Sequence, residues 1–170
     1  MSELIDVYNG KKEKTGKIVE RKRGASLEKG EFIISVTCWI VNKEGKILLT
    51  QRKLNKHNGG MWEPTTGLIV SGESSLQGII RELNEEIGIS INPSEIKLIK
   101  EIIEEREDIN FFRDIYLIRK NISLNNIKYN DGEVINVKYI TIEEFNSMLS
   151  NKEIFEYLKY FLDLYKDIIK

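Results

Sequence analysis

The chain has 170 residues, which is near the length of one domain and enough to bury a core without covalent staples. Its 26 basic and 27 acidic side chains nearly cancel, to a net charge of -1, which argues against a nucleic-acid polymer as partner and against a polybasic membrane binder. One cysteine (Cys38) and one histidine (His57) exclude an internal disulfide, a Cys-rich zinc site and a two-histidine metal centre. No apolar run approaches the ~20 residues of a membrane span, and the first ten residues lack a signal-peptide core. A cytoplasmic location is the resulting expectation.

In chain order, residues 4–8 and 17–21 read as strands of an N-terminal hairpin arm, with 24–30 as a connector. From Ile33, Ile34, Val36, Cys38 and Ile40 alternate with Ser35, Thr37 and Trp39, the period of a strand. Asn42-Lys43-Glu44-Gly45 is a turn, and 46–51 returns as the second strand of a hairpin. Residues 54–60 form a loop, 61–70 is extended with Pro64 favouring an edge or a break, and Ser71-Gly72 ends it. Ser74 or Ser75 caps a helix to Ile87, stopped by Gly88. Residues 96–103, 111–118 and 134–140 read as strands, with 104–108 and 130–132 as turns. Thr141 caps a helix over 142–149, and Phe155, Leu158, Phe161, Leu164 (or Tyr165) and Ile168 predict a closing helix over 153–169. The expected fold class is α+β or α/β, a sandwich with a mixed sheet. The division is one domain over 1–170: an arm (1–30), a core (31–150) and a C-terminal helix (151–170).

The helix over 75–87 carries the chemical signal. Leu76, Ile79, Ile80, Leu83 and Ile87 share one side of a helical wheel, and Arg81, Glu82, Glu85 and Glu86 the other. Glutamates three and four apart repel by a few tenths of a kcal/mol per pair and oppose the dipole at a helix C-terminus. A hard divalent cation reverses that penalty, because Mg²⁺ takes carboxylate oxygens. The plainer alternative is a solvated acidic face with an Arg81–Glu85 pair.

Written out from Gly67, the stretch is Gly67, five residues, Glu73, seven residues, Arg81-Glu82-Leu83-Asn84-Glu85-Glu86-Ile87-Gly88-Ile89. It resembles the Nudix box, G-x5-E-x7-R-E-U-x-E-E-x-G-U with U a bulky aliphatic, and fills all nine fixed positions. The resemblance implies a Nudix α/β/α sandwich with an N-terminal hairpin arm and C-terminal helices. It implies a Mg²⁺-dependent hydrolase (Mn²⁺ as substitute) of a nucleoside diphosphate linked to another group X. Glu82 and Glu86 match direct metal ligands, and Glu85 a ligand through water or a base. The carbonyl of Gly67 or Thr66 would complete the set. Glu73 and Arg81 match the ion pair that holds the loop to the helix, and Gly67 and Gly88 the backbone glycines. Two positions depart from common usage: Gly78, where a small helix former is usual, and Thr66, where many members have a second glycine.

Outside the box, Arg52 and Lys56 are candidates for phosphate oxygens, Arg as a fork and Lys as a point charge, or else form a solvated basic loop. The isopentenyl-diphosphate-isomerase-like branch is similar in this pair and in the arm. Isomerase chemistry itself is disfavoured: the pre-box stretch Glu63-Pro64-Thr65-Thr66 has no cysteine. Cys38 reads as a core residue and His57 as a surface one. Glu133 is the candidate extra carboxylate from a distant loop, with Glu104, Glu105 and Asp108 as alternatives. Trp62, Tyr8 and Phe111 would either stack on a base or line walls. A non-catalytic nucleotide-binding module is the remaining alternative function. The partner expected is a small-molecule diphosphate, and the arm and C-terminal aromatic residues serve either a homodimer or a core cap.

Overall fold

The computed structural model describes residues 3–21, 27–105 and 109–169. Part of the 24–30 connector and Asp108 lie outside them. The elements run β1 (Leu4–Tyr8), β2 (Lys14–Glu20), β3 (Ile33–Val41), β4 (Ile47–Arg52), β5 (Trp62–Glu63), β6 (Thr65–Leu68), α1 (Ser75–Ile87), β7 (Ile96–Glu105), β8 (Asn110–Arg119), β9 (Val134–Ile140), α2 (Ile142–Ser150) and α3 (Phe161–Ile168). This is an α+β protein with a mixed sheet. The chain folds as two compact units, and β3, β8 and α1 each run from one into the other.

The first unit holds segments 1–38, 66–82 and 91–116. Within it β1 and β2 form the arm, antiparallel with Leu4 opposite Glu20 and Asp6 opposite Ile18. The return strand starts three residues earlier than its apolar pattern suggests, because Lys14 pairs with Tyr8 across a register shift. β3 pairs with β6 and β8, and β8 with β7. Ile5, Val7, Ile34, Val36, Ile69, Ile79 and Ile115 fill its core.

The second unit holds 39–65, 83–90 and 117–170. Here β4 is central: it pairs with the end of β3 (Ile40 opposite Leu48), with β5 (Thr50 opposite Glu63) and with β9 (Thr50 opposite Val137). Trp39 is fully buried and stacks on Phe161 at 3.6 Å between centroids, with Phe145 edge-on at 5.7 Å. Its indole N–H donates to the Tyr160 hydroxyl at 3.2 Å, which satisfies the polar end of a buried aromatic.

β3 is the strand that its alternation predicts, and it is buried on both faces along all nine residues. Two expectations are corrected. In α1, Ile79, Leu83 and Ile87 are fully buried, but Leu76 and Ile80 are only half-buried. The closing helix is shorter than its apolar spacing implies: Phe155 is extended (φ -62, ψ 131), Glu156–Tyr160 is a 3-10 turn, and α3 starts at Phe161. Among the described residues no helix is long and apolar enough to cross a membrane.

Candidate active site

Helix α1 ends where Gly88 takes φ +67, and a Cβ there would meet the backbone of Lys128. Glu82, Glu85 and Glu86 occupy its last two turns. Glu82 and Glu86 are only 6% and 8% exposed, so this acidic face is not the solvated one that the plainer reading required. Two buried carboxylates four residues apart carry both desolvation and mutual repulsion.

In the first unit the neighbourhood of Glu82 is built from the loop between β6 and α1. The Glu82 carboxylate lies against the backbone of Gly67, where any Cβ would overlap all three carboxyl atoms. Arg81 reaches back across the loop. Its Nε donates to Glu73 Oε1 at 2.9 Å and its Nη2 to Glu73 Oε2 at 3.1 Å. Nη2 also donates to the Leu68 carbonyl at 2.9 Å, and Nη1 to Glu82 Oε1 at 2.8 Å. Glu73 Oε2 accepts the Val70 N–H at 3.1 Å, so the pair clamps the loop at both ends. Gly78 lets the helix approach Ile69, whose Cγ2 would lie 2.6 Å from an added Cβ. Thr66 is tied by its hydroxyl to the Val36 carbonyl at 2.9 Å.

In the second unit Arg52, at the end of β4, donates through Nη1 to Glu63 at 2.5 Å and through Nε to the His57 carbonyl at 3.2 Å. Burial disfavours its charge, but Glu63, Glu133 and Glu86 outweigh that and hold its pKa above the ordinary range. Lys56 donates to Glu133. The loop that carries Glu133 is fastened to the end of α1: the N–H groups of Asn130 and Asp131 both donate to the Glu85 carbonyl at 3.1 Å. The Asn130 amide donates to the Asn84 carbonyl at 2.8 Å, and the Lys128 N–H to the Ile87 carbonyl at 3.1 Å. The donors to Glu85 and Ile87 occupy carbonyls that a helix C-terminus otherwise leaves open, while the Asn84 carbonyl also accepts the Gly88 N–H at 3.0 Å. Asp131, although exposed, has a raised pKa, mainly from partial loss of hydration and then from Glu133 and Glu85.

Other candidates lie elsewhere. Glu104 accepts from the buried Arg113, at 3.1 Å from Nε and 2.9 Å from Nη2, and Glu105 is exposed. Trp62 is buried with Lys138 Nζ 4.2 Å above its ring, Tyr8 is buried, and Phe111 lies under Arg113. His57 is exposed. Cys38 is fully buried, and burial pushes its thiol pKa far up. Sequence reasoning passed over Glu63, a buried carboxylate. Its signal was a glutamate inside a short strand, one residue from a tryptophan and close to Arg52 in a paired strand.

The donor chemistry suits a hard divalent cation: buried carboxylate oxygens and a backbone stripped of its side chain at Gly67. Among the described residues no group of three His, Cys, Asp or Glu side chains is already drawn together to hold an ion. Glu82 is instead turned onto Arg81.

The chain is similar to known proteins in sequence and in fold. The NUDIX domain family matches residues 31–161. A Nudix hydrolase of Listeria monocytogenes is 30% identical over 154 residues, which cover 89% of this chain and 88% of that protein. The CTP pyrophosphohydrolase of Escherichia coli is 40% identical over 63 residues, 37% of this chain and 47% of that protein. The solved MutT protein of Methanosarcina mazei superposes with a TM-score of 0.67 at 26% identity, over 85% of this chain and 99% of that one. The chain therefore belongs to the Nudix family and is a hydrolase acting on diphosphate bonds.

Proposed function

We propose that this chain is a Mg²⁺-dependent pyrophosphohydrolase of a nucleoside diphosphate linked to another group X, with Mn²⁺ as a substitute metal. The observation that carries the reading is the pair of buried carboxylates on α1, Glu82 and Glu86, with Glu82 set against the bare backbone of Gly67. The partial match to a CTP pyrophosphohydrolase supports a nucleoside phosphate as the substrate class.

Glu82 and Glu86 would hold the metal directly, Glu85 through water, and the carbonyl of Gly67 or Thr66 would add a neutral oxygen. When bound, the ion would neutralise phosphate oxygens and lower the pKa of an attacking water. The chain's own residues do the rest. Glu73 and Arg81 orient Glu82, as outer partners do for ligands generally. Glu133, or Glu85, accepts the proton of the attacking water. Arg52 and Lys56 bind phosphate oxygens and must exchange their present partners, Glu63 and Glu133, to do so. For Lys56 that exchange releases Glu133, one of the two carboxylates able to act as base. One P–O bond of the anhydride breaks as the new P–O bond to water forms. The products are two phosphate-bearing fragments, or phosphate and a monophosphate.

The test is a panel of nucleoside diphosphate derivatives with Mg²⁺, products identified by mass, on the wild type and Glu86→Gln. The variant should fold and lose most turnover. Full Mg²⁺-dependent activity in that variant would remove Glu86 from the site.

A further inference from the structure

The arm lies before the segment matched by the family, yet it touches the loop that anchors α1. Asp6, on β1, is the point of contact and is 8% exposed. Its Oδ1 accepts the Ser71 hydroxyl at 2.8 Å; its Oδ2 accepts the Gly72 N–H at 3.0 Å and Lys14 Nζ at 2.6 Å. The neighbouring Leu4 carbonyl accepts the Ser71 N–H at 2.7 Å. Burial opposes ionisation of Asp6, but Lys14, Gly72 and Ser71 outweigh it and hold its pKa below the ordinary value. A carboxylate kept charged at low exposure, with both oxygens engaged by one turn, fixes that turn in place.

The turn in question runs into Glu73. From Glu73 the contacts pass to Arg81, and Arg81 divides its guanidinium between Glu73 and Glu82. The two carboxylates are bonded by different nitrogens of one guanidinium, Glu73 by Nε and Nη2 and Glu82 by Nη1. A turn that recedes moves Glu73, and with it the guanidinium that sets the position of Glu82.

We propose that Asp6 is a positioning residue for the carboxylate helix: by fixing the Ser71-Gly72 turn it holds Glu73, and through Glu73 the Arg81 guanidinium that orients Glu82 for a divalent cation. This rests on the metal-dependent reading above. A second contact of the arm gives the control. Lys12, at the hairpin tip, donates to Asp114 on β8 at 2.7 Å and to Glu101 on β7.

The experiment is Mn²⁺ binding to the full chain, read from the free-ion electron paramagnetic resonance signal, with thermal unfolding in parallel. It compares wild type, Asp6→Asn, Ser71→Ala and Lys12→Met. Asp6→Asn should weaken Mn²⁺ binding about tenfold, the low end for loss of an outer partner. Ser71→Ala, a milder change that keeps the Gly72 and Lys14 contacts, should weaken it by less. Lys12→Met should lower the unfolding temperature and leave Mn²⁺ affinity unchanged. If the wild type takes up no Mn²⁺, the metal reading itself fails. If it does, and folded Asp6→Asn and Ser71→Ala bind Mn²⁺ as tightly, Asp6 has no positioning role. Equal weakening in Lys12→Met also overturns it, since the arm then acts only through overall stability.

Discussion

The carboxylate of Glu82 occupies the space that a side chain on Gly67 would need. Glycine at 67 is thus a steric requirement of the neighbouring carboxylate. Gly67→Ala forces either strand β6 or Glu82 to move. Overpacking of this kind costs about 1–3 kcal/mol, so the variant should unfold earlier in urea. Its turnover should fall further than stability alone explains, because Glu82 is displaced from its place beside Arg81. Unchanged turnover in a folded Gly67→Ala protein would show that Glu82 works from another position.

In the proposed mechanism Lys56 and Glu133, an ion pair in this structure, take separate roles in binding and in proton transfer. Lys56→Met should raise KM about tenfold, equivalent to ~1.4 kcal/mol, and leave kcat within about twofold. Glu133→Gln should lower kcat roughly 100-fold, the scale of a lost general base, without a matching rise in KM. Initial rates over a substrate series check both. A Lys56→Met variant impaired only in kcat contradicts the phosphate role.

The arm should set both ends of the pH–stability profile. Burial works against the charge of Lys12, but Asp114 and Glu101 outweigh it and raise its pKa above the ordinary 10.5. A raised value means that its stabilisation is complete below pH 10.5 and is lost as pH climbs through the folded value. The Asp6 pKa is depressed, so its contribution is complete above 3.8 and is lost as pH falls through the lower folded value. Urea unfolding at a series of pH values should show Lys12→Met flattening the alkaline limb, and Asp6→Asn flattening the acid limb together with the part of the alkaline limb that Lys14 contributes through Asp6. Identical profiles for Lys12→Met and wild type above pH 10.5 would contradict the sign.

Much of this was legible in the residues, and the misses have physical causes. The bounds of α1 follow from the serines before it and Gly88 after it, which takes the positive φ that stops a helix. The C-terminal helix was overdrawn because Phe155, Leu158 and Phe161 recur at intervals of three, a spacing that a 3-10 turn satisfies as well as an α-helix does. Burial of Glu82 and Glu86 was not readable, since a wheel sorts side chains into faces and says nothing about what covers the polar one. Glu63 escaped notice because its partner Arg52 is brought beside it only by the pairing of β4 with β5. Asp6 escaped because a carboxylate on a peripheral hairpin reads as surface charge until the turn it holds is known.

The segment from Lys128 to Glu133 is secured to the last turn of α1 through the carbonyls of Asn84, Glu85 and Ile87. One stretch of chain therefore both presents Glu133 and shields the helix end on which Glu85 and Glu86 stand. Shortening it, or replacing it with a segment of different length, would strip the Glu85 and Ile87 carbonyls of these donors at the same moment as it removed a carboxylate. New substrate preferences grafted onto this scaffold are better sought in the 54–60 loop, where lengthening the chain leaves the helix terminus intact.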